Sequence, residues 1–259
     1  MTRVRSIGWL RVPLFLTYAF LYIPIAVVVV MSFNASKLPF NWTGFSLKWY
    51  EKLFQDDVIR EGFINTMIVA VGATVFATIL GTLLAIGLAR YTRSAVLQAY
   101  ALTPAIVPDL ALAIGLLVMF SFVGMTVGLH SVLLAHVVFG LAFVAAVVTA
   151  RIGQVDPSLE EASQDLGATA WSTFFRITVP TLLPAIVAGA LLVFTLSLDE
   201  FVIAFFTDGP STPTLPIVIY SMVRFGVTPE INALAAILLL VSFTVVIAAQ
   251  RMTRTTDVT

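Results

Sequence analysis

Six long apolar runs dictate what this chain can become: Leu14–Phe33, Phe63–Ala89, Leu97–Gly124, Leu129–Ala150, Leu182–Phe206 and Leu234–Ala249. A helix crossing the hydrocarbon core of a bilayer takes roughly 20 apolar residues, at about 1.5 Å of rise per residue. No water reaches backbone N–H and C=O groups there, so each run must close its own hydrogen bonds as a helix. A membrane β-barrel is excluded, because its strands alternate apolar and polar residues and these runs do not. Hydrophobic residues make up 59 % of the chain and charged residues 11 %, with mean hydropathy +1.02. An ordinary soluble domain is roughly 45–50 % apolar and about 25 % charged. A soluble domain, a disordered chain and a basic nucleic-acid binder are therefore ruled out. The expectation is an all-α polytopic membrane protein with six transmembrane helices, residues 1–259 forming a single membrane domain.

The first run follows Arg3, Arg5 and Arg11. It is too long for a signal-peptide core, and no small-x-small cleavage site follows it, so it reads as a retained helix. Lys and Arg in short loops set orientation. Nine fall on the side shared by both termini: Arg3, Arg5, Arg11, Arg90, Arg93, Arg151, Arg176, Arg251 and Arg254. Five fall on the other: Lys37, Lys48, Lys52, Arg60 and Arg224. Both termini are expected in the cytoplasm.

Several chemistries are missing. No G-x-x-x-x-G-K-[ST] loop occurs, so the chain has no phosphate cradle of that kind. No H-E-x-x-H or G-x-S-x-G occurs, and there is no cysteine to act as a nucleophile or metal ligand. His130 and His136 fall about 240° apart around a helix and do not share a face; they read as an interfacial and a packed histidine. No metal site is expected.

The stretch Ile152–Pro180 is longer than a simple helix connection needs. Its opening, Asp156-Pro157-Ser158-Leu159-Glu160-Glu161, starts a helix in either of two ways. Ser158 and Glu161 form a capping box, or Asp156 caps a helix beginning at Pro157. Leu159, Ala162 and Leu166 fall on one face, with Glu160, Gln164 and Asp165 elsewhere, and Gly167 is a C′ stop. A second helical stretch through Trp171, Phe174 and Phe175 is expected to end before Pro180. Two turns of helix are not stable alone in water, so the first must dock, either on a partner or on the bundle's own cytoplasmic ends.

Glu161-Ala162-Ser163-x3-Gly167-x9-Ile177-x-Val179-Pro180 resembles the EAA loop of ABC importer permeases, whose pattern is E-A-A-x3-G-x9-I-x-L-P. Ser163 and Val179 depart from it by small changes in size. The resemblance implies a type I ABC importer permease fold. It also implies that 152–180 is a cytoplasmic coupling loop whose short helix enters a cleft of a separate ATPase. Glu160, Glu161, Ala162, Ser163 and Gly167 are then the coupling residues, and ATP is bound by that partner, with no cofactor held here. Asn65-Thr66 and Leu88-Ala89-Arg90 resemble the same permeases, while Leu196–Ile203, Ile219–Arg224 and Pro229–Ala235 resemble the spermidine/putrescine branch, and the likeness is closest to its second permease. That branch usually carries Asp-Asp where this chain has Asp199-Glu200. The implied partners are a homologous permease, an ATPase dimer, an extracytoplasmic solute-binding protein, polyamine and membrane lipid, in a bacterial inner membrane.

Three acids lie within apolar runs: Asp109, Asp199 and Glu200. A carboxylate at bilayer depth costs about 2.5–3.5 kcal/mol on insertion scales, so it faces a cavity or a partner. Asp109 falls about 12 residues into the third run, roughly 18 Å along a straight helix, just after Pro104 and Pro108. Asp199 falls about 15 residues past Pro184, or roughly 22 Å. These acids are expected to line a polycation path through weak, multiple contacts; the alternative is that they pair with basic side chains, Arg224 included. Tyr22, Phe120, Phe201, Phe205, Phe206 and Tyr220 offer cation–π surfaces, although membrane aromatics more often serve packing. Rival readings are a permease for iron, an oxyanion or thiamine, a polytopic membrane enzyme, and an assembly subunit without a pathway.

Overall fold

The computed structural model describes residues 11–38, 41–92, 94–226 and 228–256, with side chains described through Thr244. Arg3, Arg5 and Arg93 lie outside the described residues, as do the side chains of Arg251 and Arg254. In chain order the helices are α1 (Arg11–Ser32), α2 (Lys48–Gln55), α3 (Asp57–Gly87), α4 (Ala95–Ile106), α5 (Asp109–Phe122) and α6 (Leu129–Ile152). They continue with α7 (Ser158–Asp165), α8 (Ala170–Thr173), α9 (Val179–Asp199), α10 (Val202–Thr207), α11 (Leu215–Arg224) and α12 (Pro229–Thr256). Two π turns, Leu88–Thr92 and Phe174–Thr178, extend α3 and join α8 to α9. Among the described residues the only β pairing is an isolated bridge between Asn34 and Phe45.

The runs become helices as expected, with three differences. Four helical stretches are long and apolar enough to cross a membrane: Arg11–Ser32, Asp57–Thr92, Leu129–Ile152 and Ala170–Asp199. The third run makes a fifth only as a broken span, because α4 and α5 meet at an angle of 105°. Pro108 supplies no amide there, and Val107 adopts the extended conformation that a following proline imposes. The fifth run breaks at Glu200-Phe201, leaving α10 as a separate short helix. The stretch through Trp171 does not stop before Pro180; the π turn leads directly into α9, and Pro180 lies within the continuous helical stretch Ala170–Asp199, where it supplies no amide to the ladder. The sixth run lies in α12, whose apolar part within the described side chains is Pro229–Thr244.

The chain divides into two units. In the one drawn from residues up to Arg60 and Ile219–Thr244, the connection after α1 is tied down by Asn34. Its side chain binds the Asn41 carbonyl at 2.8 Å and accepts from the Thr43 amide at 3.1 Å, while its own carbonyl receives the Trp49 indole at 2.7 Å. Tyr50 bonds Ser32 at 2.6 Å, and Lys52 pairs with the buried Glu230 at 2.7 Å. None of the apolar window of α1 is buried.

The other unit, Glu61–Val218 with the stretch from Val245, is organised around α6. Ala77, Ala85 and Ile86 of α3 share a core with Val144, Ala145 and Val148 of α6 and Leu182 and Val193 of α9. Lipid tails are as apolar as leucine, so membrane helices gain most from close packing over small residues. The α6–α9 seam shows this at every turn. His136 meets Ser197, Gly140 meets Val193 and Val144 meets Gly189. A second core joins Ala113, Leu116 and Phe120 of α5 to Ala135 and Phe139 of α6 and Ile203 of α10.

Candidate functional site

Two regions collect the candidate residues. The first is the loop helix α7. The Ser158 amide donates to Asp156 Oδ1 at 3.0 Å, so the Asp156 cap is the one realised. That bond, with one to the Ser158 side chain, holds the Asp156 carboxyl below its ordinary value. At the other end the Gly167 amide reaches Gln164 O at 2.9 Å and the Ala168 amide reaches Ser163 O at 3.1 Å, the two bonds of a Schellman cap. Gly167 sits at φ +85°, where a side chain is strained.

The predicted apolar face is present and largely uncovered. Leu159, Ala162 and Leu166 line an open groove of about 340 Å³ together with Ser163, Arg176 and Ile177. Leu166 is 90 % exposed, and beside it Trp171 and Phe175 are exposed and stacked with centroids 5.9 Å apart. Glu161 is exposed. Glu160 is not on that outward surface. Its Oε2 pairs with Arg90 and its Oε1 accepts from the Thr178 hydroxyl. The sequence reading put Glu160 with the outward coupling residues and did not anticipate Arg90 or Thr178. Its only signal was helical geometry, which already set Glu160 off the Leu159 face.

The second region gathers the three intramembrane acids. Asp109 is the first residue of α5, and its charge suits that helix terminus. Glu200 occupies the break before α10, where its Oε1 accepts from the Ile203 amide at 2.7 Å. Asp199 closes α9. α5 and α10 share the core of Ala113, Leu116, Phe120 and Ile203, and the charges of Asp109 and of the adjacent Asp199 reach Glu200. The separate depths computed along straight helices do not apply once α4 and α5 are bent apart. Among the described residues, none of the three acids forms an ion pair. Such a grouping attracts an extended cation more strongly than any single acid.

Two residues before Asp199 on α9, Ser197 bonds buried His136 at 2.7 Å. This pair was not foreseen beyond a packed histidine. Phe120 is core, 3 % exposed, and is removed from the set of cation–π candidates. Tyr22 stacks on Tyr18, and Phe201 packs against Phe205. No grouping of His, Cys, Asp or Glu suited to a metal occurs among the described residues.

Residues 77–254 match the family model described as binding-protein-dependent transport system inner membrane component. The chain is 41 % identical over 239 residues to the spermidine/putrescine transport system permease protein PotC of Escherichia coli (strain K12), covering 92 % of this chain and 90 % of the relative. It is 42 % identical over 245 residues to the putrescine transport system permease protein PotI of the same strain, covering 91 % and 87 %. The Haemophilus influenzae PotC is 43 % identical over 244 residues, covering 93 % and 95 %. Among solved structures, a permease chain of a bacterial ABC transporter that imports the acidic polysaccharide alginate superposes with TM-score 0.75 at 20 % identity, covering 96 % of this chain and 94 % of that one. That likeness shows the fold, which is the type I ABC importer permease fold.

Proposed function

The chain belongs to the family of binding-protein-dependent transport system inner membrane components, and on that premise we propose that it carries polyamines across the membrane. It is a multi-pass permease subunit of an ABC importer and not an enzyme. The observation that carries the substrate reading is the placement of three acids at two helix breaks, Asp109 at the start of α5 and Asp199 with Glu200 between α9 and α10. A polyamine presents several cationic amines along a flexible chain, and three acids at two separate helix breaks supply several weak contacts in place of one deep trap. The relatives that transport spermidine and putrescine support the same class.

In this reading residues 1–259 are one permease domain with both termini in the cytoplasm, and 152–180 is the coupling loop. A homologous permease completes the pathway, an ATPase dimer receives α7, and an extracytoplasmic binding protein delivers the substrate. The exposed Glu161, Ala162 and Gly167, with the Leu166–Trp171 surface, form the ATPase contact. Closure of the ATPase on ATP moves α7, and the bundle passes between inward- and outward-facing states.

The test has two stages. Mild detergent purification from the native membrane is expected to recover an ATPase and a second permease. Uptake of labelled spermidine and putrescine into proteoliposomes is then compared for D109N, D199N, E200Q and the triple variant. Each single change is expected to raise KM, and the triple change to abolish saturable uptake. Unchanged uptake in the triple variant would place the cation path elsewhere.

A further inference from the structure

We propose that the Arg90–Glu160–Thr178 junction is the link through which the coupling helix moves the membrane bundle, with Glu160 a positioning residue inside this chain. The inference rests on the permease reading above and deepens it. Glu160 sits in the first turn of α7, and its two carboxylate oxygens serve two different elements. One takes the guanidinium of Arg90, in the π turn that closes α3. The other takes the hydroxyl of Thr178, in the π turn that opens α9. One side chain thus ties the loop helix to the ends of two long helices that share a core against α6.

Little else fastens α7. The helix has eight residues and none of them is buried. A helix of that length does not hold itself together in water. Besides the Glu160 junction, its side chains reach the following stretch through the Ser163–Thr173 bond at 3.1 Å. The junction is partly shielded, with Arg90 29 % and Glu160 18 % exposed at the side chain and Thr178 3 % exposed overall. Water therefore screens this pair less than a surface ion pair. Glu161, one residue on, is exposed. Adjacent residues of one helix serve two directions, Glu161 outward and Glu160 back into the chain.

Both attachment points are deformable. A π turn accommodates an extra residue and is often found where a helix changes shape in function. After Thr178, Pro180 contributes no amide to the ladder, which loosens the start of α9 further. A displacement of α7 is therefore passed to α3 and α9 by a charged tether, through segments that yield without unfolding the helices.

The test uses the complete importer in proteoliposomes, with labelled spermidine uptake and ATP hydrolysis measured together. E160Q keeps an acceptor for Thr178 and the size of the side chain while removing the charge. E160Q and R90Q are each expected to retain the ATPase in the wild-type ratio, while uptake per ATP falls by roughly fivefold or more, the scale of a typical coupling between sites. The exchange E160R/R90E is expected to recover most of that ratio, and E161Q to lower ATPase retention instead. Unchanged uptake per ATP in E160Q overturns the proposal. So does loss of the ATPase from E160Q without recovery in the exchange, which would make Glu160 a direct ATPase contact. Failure of the unaltered chain to bind an ATPase overturns the permease reading itself, and the junction's role with it.

Discussion

Alanine at Gly140 tests the α6–α9 seam most directly. A Cβ built there lies 2.7 Å from Val193 Cγ1, 3.2 Å from Ala77 Cβ and 3.3 Å from Val193 Cγ2. Carbon atoms in good contact sit about 3.5–4.0 Å apart, so the nearest must retreat by roughly 1 Å. Val193 and Ala77 are both 0 % exposed, and a β-branched side chain in a helix has one favoured rotamer. The helices themselves must separate, at the cost of overpacking, about 1–3 kcal/mol. V193A alone removes both clashing methyls and leaves a hole, worth about 1–3 kcal/mol at the usual cost per buried methylene. In G140A/V193A the new methyl enters that hole. The double variant should therefore be more stable than the sum of the single changes allows, by at least about 1 kcal/mol. Unfolding in mixed micelles with increasing dodecyl sulfate, followed by tryptophan fluorescence, reads all four proteins. The same displacement reaches the site, because His136 and Ser197 sit one turn from Gly140 and Val193 on their helices and their bond is 2.7 Å long. G140A should lower spermidine uptake along with stability. Wild-type stability in G140A, or strict additivity in the double variant, would refute the close approach of α6 and α9.

Three further outcomes follow from single contacts. S197A leaves both ring nitrogens of His136 without a partner, since Nε2 already has none, and should cost about 1–3 kcal/mol in the same titration, with S197T retaining most of the bond. G167A meets no atom within 4 Å, so its effect is confined to backbone strain at φ +85°. That strain is about 1–2 kcal/mol, and amide hydrogen exchange should quicken by roughly tenfold in 158–168 and nowhere else. D156A should quicken exchange at the start of α7 while D156N preserves it. Because the Ser158 amide lowers the carboxyl below its unfolded value of 3.8, the cap contributes fully above that value and is lost only as pH falls through the lower folded one. Protection at the Ser158 end that disappears near neutral pH would contradict this.

What the chain discloses by reading depends on the distance over which each feature is specified. The α7 caps and the helical character of the apolar runs are local: an apolar run, an Asp-Pro-Ser start and a glycine at C′ act over a few residues, and the structure shows each of them, although it has four unbroken spans and a broken fifth where six were expected. The acids were legible as exceptions, since an ionised group in an apolar run needs a reason. That the charge of Asp109 reaches Glu200 was not, because the two lie on different elements that meet through the core seating α10 on α5. The prolines signalled a break, but no local rule supplies its angle, and depth counted along a straight helix fails once the helix turns. Glu160 shows the same limit. Helical spacing sets it off the Leu159 face, yet the partner it turns to is Arg90, 70 residues earlier. A spacing argument is blind to that pairing, because a single i to i+4 pattern carries no information about which other helix end arrives. The residues that join distant elements, Glu160 at the loop and Glu200 at the break, are therefore those whose neighbours only the fold reveals.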